Sequence, residues 1–97
     1  MVEGKYNLIM KTPRGNEKGT LVIIQRGTSI MGYLTYNGTN YKFSGGRAKE
    51  YEFEFEGEFK WLFMRVPYRA MGQVIKDRLM GTVYTKFGDF LVEGNKV

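Results

Sequence analysis

The chain has no cysteine and no histidine. Without cysteine there is no disulfide framework, no thiol nucleophile and no zinc–thiolate centre. Without histidine the commonest general base and the commonest transition-metal ligand are missing, and every Ser-His or Cys-His arrangement goes with them. The expectation is a non-enzymatic protein with no metal and no other cofactor; the remaining catalytic option is a cofactor-independent enzyme working through Tyr, Lys or Glu. Proline is scarce, with 2 residues, and no apolar run approaches the length of a membrane-spanning helix. The opening MVEGKYNLIM has neither the basic segment nor the long apolar run of a signal peptide, so a cytoplasmic protein is expected. Phosphate-loop and dinucleotide motifs are absent as well, because the glycines fall within strand-like segments and those motifs need strand-to-helix turns.

What is present suits one globular domain over residues 1–97: 42% hydrophobic residues, 13 glycines, seven Phe and seven Tyr. Fifteen basic and ten acidic residues leave a net charge of +5, which mildly favours anionic partners and is also an ordinary solubility charge.

The organising stretch is residues 51–74. Tyr51, Phe53, Phe55, Gly57 and Phe59 alternate with Glu52, Glu54, Glu56 and Glu58. After a loop at 60–63, Met64, Val66, Tyr68, Ala70, Gly72 and Val74 alternate with Arg65, Pro67, Arg69, Met71 and Gln73. Period two is the mark of strands with one buried face, so this is a hairpin with an aromatic inner face and a charged outer one. Similar patterns place strands at 5–12, 19–25, 29–36, 39–45, 78–86 and 89–96, with 46–50 as a connection. Pro13 and Gly15 mark one turn, and Asn37-Gly38 is the strongest short hairpin signal, because both central residues of a type I′ turn need positive φ. No segment has useful helical periodicity.

Eight consecutive strands with short links form a meander, and joining the last to the first removes both exposed edges. The fold class is therefore all-β: an eight-stranded antiparallel up-and-down meander closing into a small barrel, with an open half-barrel or flattened sandwich as the alternative. Gly32, Gly57, Gly72, Gly81 and Gly94 all fall at inward positions, as a narrow lumen requires. Thr12-Pro13-Arg14-Gly15 and Thr85-Lys86-Phe87-Gly88 are alike, either through hairpin duplication or because similar turns recruit similar residues.

Thr12-Pro13-x-Gly15 with Gly19-Thr20-Leu21, then Ile30-Met31-Gly32, Phe43-Ser44-Gly45-Gly46, Phe53-x-Phe55, Gly72-x-Val74 and Asp77-x-Leu79-Met80-Gly81-Thr82, resemble small calycin-like (lipocalin- and streptavidin-like) β-barrel domains of uncharacterised bacterial proteins. The resemblance spans nearly the whole chain and rests on turns and barrel glycines, so it implies a fold and carries no functional residue across. The chain departs from the pattern at Glu50-Tyr51 and at residues 60–64, where an apolar cluster replaces a polar turn.

In a meander alternate turns share one end. Lys60, Trp61, Leu62, Phe63, Arg65, Lys86 and Phe87, with Lys11 and Arg14, would give that mouth an apolar and cationic rim. Such a rim suits a small amphipathic or anionic ligand whose apolar body enters the barrel while Lys or Arg holds its acid group. The alternative is that Trp61 and Phe63 plug a filled core. Inward Tyr6, Tyr36, Tyr41, Tyr51 and Tyr68 are hydroxyls that a buried ligand could use. The glutamate row is too widely spaced for neighbours to share a small cation, at about 6.6–7 Å. It reads as a solvated ladder in which Lys42 and Arg69 flank Glu54 and Arg65 faces Glu58. Outward Ile9, Val22, Ile24, Met31, Tyr33, Met71, Met80, Tyr84 and Leu91 form an apolar band that suits a second copy or a partner domain, the basis of an alternative reading as an interaction or homodimerisation module with a filled core. Single-stranded nucleic acid is disfavoured, because the aromatic-rich hairpin has an acidic exterior.

Overall fold

The computed structural model describes residues 1–61 and 63–97; Leu62 lies outside the described residues. Every described strand is antiparallel to its chain neighbours: β1 (Gly4–Thr12), β2 (Gly15–Arg26), β3 (Ser29–Tyr36), β4 (Thr39–Lys49), β5 (Glu52–Trp61), β6 (Met64–Ile75), β7 (Arg78–Thr85) and β8 (Gly88–Lys96). β8 returns to β1, from Tyr6↔Lys96 to Lys11↔Leu91, and closes the barrel. The alternating pattern accounts for this: apolar residues at every second position fill the lumen, and closure leaves no outer edge strand. Among the described residues no helix is long and apolar enough to cross a membrane.

Three strands run two or more residues further than the sequence suggested; one is β5, which continues to Trp61, into the loop expected at 60–63. β2 starts at Gly15, not at residue 19, because Thr12 Oγ1 organises a two-residue turn, accepting from Arg14 N at 3.2 Å and donating to Gly15 O at 2.7 Å. Thr85 repeats this geometry with Phe87 N at 3.0 Å and Gly88 O at 2.9 Å, so the two similar sequences are the same turn. β4 continues to Lys49 through the expected connection at 46–50. It does so by a β-bulge. Ile30 pairs with Gly46 and Gly32 with Phe43, so Ser44 and Gly45 together oppose one residue, and Gly45 takes the left-handed φ of 73°. The extra residue shifts the inside–outside phase, and Phe43, Gly46 and Ala48 all become buried.

The bulge also affects the next interface. β4 and β5 are in register only from Arg47↔Glu54 to Lys49↔Glu52. Above that, side chains hold the wall: Phe43 stacks on Phe55 with centroids 3.9 Å apart, and Tyr41 reaches the Lys60 carbonyl at a long 3.5 Å. Elsewhere ladders are extensive, the longest being β5 with β6 from Glu52↔Gln73 to Trp61↔Met64. At Gly32 the backbones of β2 and β3 approach so closely that a Cβ would overlap the Val22 carbonyl.

Inward positions are as expected in most of the barrel, with two corrections. Tyr51 is 59% exposed, because Glu50, at φ 56°, places it in the β4–β5 turn, where its carbonyl accepts from Val74 N at 2.8 Å. Met64 is exposed where β6 leaves the turn. On the outer face the Glu54–Arg69 pair forms, at 2.9 Å. The other expected pairs do not: register sets Arg65 opposite Lys60 and Glu58 opposite Pro67, while Lys42 lies against Tyr33 of β3.

The end opposite the mouth is stoppered by the chain's own start. Val2 has no exposed surface; its carbonyl accepts the Tyr6 hydroxyl at 2.6 Å and its amide donates to Gln25 Oε1 at 3.0 Å. Glu3 Oε1 accepts from Gln25 N at 2.8 Å and fixes the segment.

Candidate functional site

At the mouth, Trp61 is the last residue of β5, in phase with inward Phe55 and Phe59. Its ring meets Phe87 edge-on, with centroids 5.6 Å apart, and the Arg14 guanidinium lies 5.8 Å from its centroid. Arg14 belongs to the β1–β2 turn, which lies half a circuit from β5, so this contact crosses the opening. Lys86 Nζ stands 5.3 Å from the Phe87 ring. These contacts form a latch over the lumen. A cation–π contact at an exposed site contributes about 0.5–1 kcal/mol and an aromatic pair about 0.5–1.5 kcal/mol, so an entering ligand can displace it.

Of the mouth residues expected from sequence, the structure brings Arg14, Trp61, Phe87 and Lys86 together, while Lys11 pairs with Glu93 at 3.8 Å. Phe63 is 96% exposed and touches none of the latch rings. Lys60 and Arg65 face each other on the outer wall. Among the described residues, none of Arg14, Lys60, Arg65 and Lys86 is in an ion pair.

The lumen beneath is not filled. A cavity of about 70 Å³ is lined mainly by apolar side chains, among them Leu8, Leu34, Phe55, Phe59 and Val83, together with Tyr68 and with Glu17, Lys18, Thr35, Tyr36 and Thr82. A cavity of about 150 Å³ accepts benzene, so a ring-sized ligand requires the latch to open and join this space to the mouth.

The five tyrosines proposed as polar contacts now separate. Tyr6 is committed to Val2, and burial followed by the Asp77 charge pushes its phenol up to about 12. Tyr41 is engaged across the β4–β5 wall, Tyr51 is outside, and Tyr36 packs edge-on to Phe59 with its phenol raised by burial and then by Glu17. Tyr68 is 5% exposed, and its hydroxyl has no hydrogen-bond partner among the described residues. Its ring meets Phe55 edge-on at 6.0 Å and Phe59 at 5.8 Å. Gly57, directly across the ladder, leaves room for the hydroxyl: a Cβ there would lie 2.7 Å from it. Burial raises the phenol well above its usual range, so it is a neutral donor.

The apolar outer residues Ile9, Ile24, Met31, Tyr33, Met71, Met80, Tyr84 and Leu91 are exposed, with Val22 partly so. Register divides most of them into a β2–β3 patch (Val22↔Tyr33, Ile24↔Met31) and a β6–β8 patch, with β1 between them carrying Ile9 among Lys5, Asn7 and Lys11. Among the described residues no three acidic side chains cluster as a metal site.

These features define a small closed antiparallel β-barrel with an apolar lumen, stoppered at one end and latched at the other. Among solved structures the chain is similar to a redesigned β-barrel, mFAP1, solved bound to DFHBI: the TM-score is 0.62 at 12% identity, over 99% of this chain and 94% of that one. At that identity the likeness is one of fold, and the barrel expected from the calycin-like resemblance is observed. No family model matches the chain, and no curated protein matches it.

Proposed function

We propose that this barrel is a non-enzymatic binder of a small amphipathic molecule, whose apolar body occupies the upper lumen while a polar or anionic end stays at the rim by Arg14 and Lys86. The observation that carries this reading is the apolar cavity within a lumen whose mouth carries the Arg14, Trp61 and Phe87 contacts. An acid group belongs at the rim because a carboxylate drawn into an apolar lumen would lose its hydration without an ion partner. The similar barrel mFAP1 was solved bound to DFHBI, which supports the reading by analogy of fold. Trp61 is the single tryptophan and part of the latch, so it reports on the site. Titration with short fatty and aromatic acids is expected to shift its emission saturably, with Arg14→Ala weakening the acids several-fold. The weakening should shrink at high salt, which screens an exposed rim. Flat emission, with no heat of binding across the panel, would sink the proposal.

A further inference from the structure

We propose that the buried end of the ligand is a neutral, flat group bearing one acceptor-only atom, as in an aryl ketone, aldehyde or ester, received by the Tyr68 hydroxyl. The inference rests on the lumen being the binding site and adds the chemical class that enters it. Tyr68 lines the cavity with mainly apolar neighbours, while Glu17, Lys18, Thr35, Tyr36 and Thr82 also contribute to its wall; the hydroxyl lies over Gly57 and is reached by a ligand as the lumen opens. Its hydroxyl is unpaired, although the Tyr6 and Tyr41 hydroxyls reach backbone carbonyls. A phenylalanine would fill the same ring position between Phe55 and Phe59 without leaving a buried donor orphaned, so packing does not account for the oxygen.

The donor is neutral, and the Phe55 and Phe59 rings packed against it offer no strong acceptor in return. An alcohol, phenol or primary amide would bring its own donor in and leave it unpaired, whereas a carbonyl oxygen needs only what Tyr68 gives. A carboxylate would meet one donor where it needs several. The Phe55 and Phe59 rings beside Tyr68 favour a flat partner over a branched aliphatic one.

The experiment uses three probes of one shape: acetophenone, 1-phenylethanol and ethylbenzene, titrated into wild type and Tyr68→Phe with Trp61 emission and calorimetry as readouts. Acetophenone is expected to bind wild type more tightly than 1-phenylethanol. Tyr68→Phe should weaken acetophenone by about tenfold, the scale of one net hydrogen bond, and leave ethylbenzene within twofold. The infrared carbonyl band of bound acetophenone should lie lower in wild type than in Tyr68→Phe. Equal binding of all three probes to both proteins would leave the lumen as the site and overturn the role of Tyr68. If none of the three binds wild type, the lumen reading fails and this inference falls with it.

Discussion

Tyr6 and Tyr68 are both buried and both inward, yet their hydroxyls have opposite effects on the folded state. Tyr6 Oη donates to the Val2 carbonyl at 2.6 Å, while Tyr68 Oη meets no partner among the described residues. Tyr6→Phe should therefore destabilise the protein by about 1–3 kcal/mol, because it leaves a buried carbonyl unpaired. Tyr68→Phe should be neutral or stabilising by up to about 1–2 kcal/mol, since it removes an unsatisfied donor. Urea denaturation of both variants at neutral pH checks the contrast; a clear loss of stability in Tyr68→Phe would show that its hydroxyl is already paired in the free protein. That Tyr68 faces inward was legible from the period of β6. Its isolation was not, because a hydroxyl's partner depends on strand register and on what Gly57 leaves empty.

Among the described residues, β4 and β5 make the interface where side chains stand in for a ladder over most of its length. In an antiparallel strand alternate amides point to each neighbour, so about half of those in residues 39–43 and 56–61 face a wall without register pairs. Those amides should exchange with solvent markedly faster than the amides of β1 and β2, measured by hydrogen exchange with NMR detection. Uniform protection around the barrel would contradict this picture. Period two made the strands and their inner faces readable, but it does not report where a strand yields to a turn, and Tyr51 was assigned inward for that reason. Nor does it survive a bulge: after Ser44-Gly45 the phase reverses, so Ala48 is buried and the expected connection is strand. At the site, Trp61, Lys86 and Phe87 were readable as neighbouring turns of one end. The Arg14 contact with Trp61 depends on closure across the barrel, and a cavity is a property of volume left over, which no residue pattern encodes.

For the whole molecule, the buried phenols set a pH dependence whose sign follows from protonation. Burial pushes Tyr6 up to about 12 and moves Tyr68 in the same direction, whereas both titrate near 10 once the chain unfolds. Below the unfolded value both states hold these protons and stability is unaffected. As pH rises past about 10 the unfolded chain releases them first, so stability falls, by at most about 1.4 kcal/mol per pH unit for each phenol. Urea midpoints at pH 8, 10 and 11 should fall over the upper interval, with a shallower slope in Tyr6→Phe; a flat profile would contradict it. Because Val2 seals the far end, the barrel is a thimble and not a pipe. A guest of the kind proposed above would have to come and go through the same doorway, past the indole of Trp61.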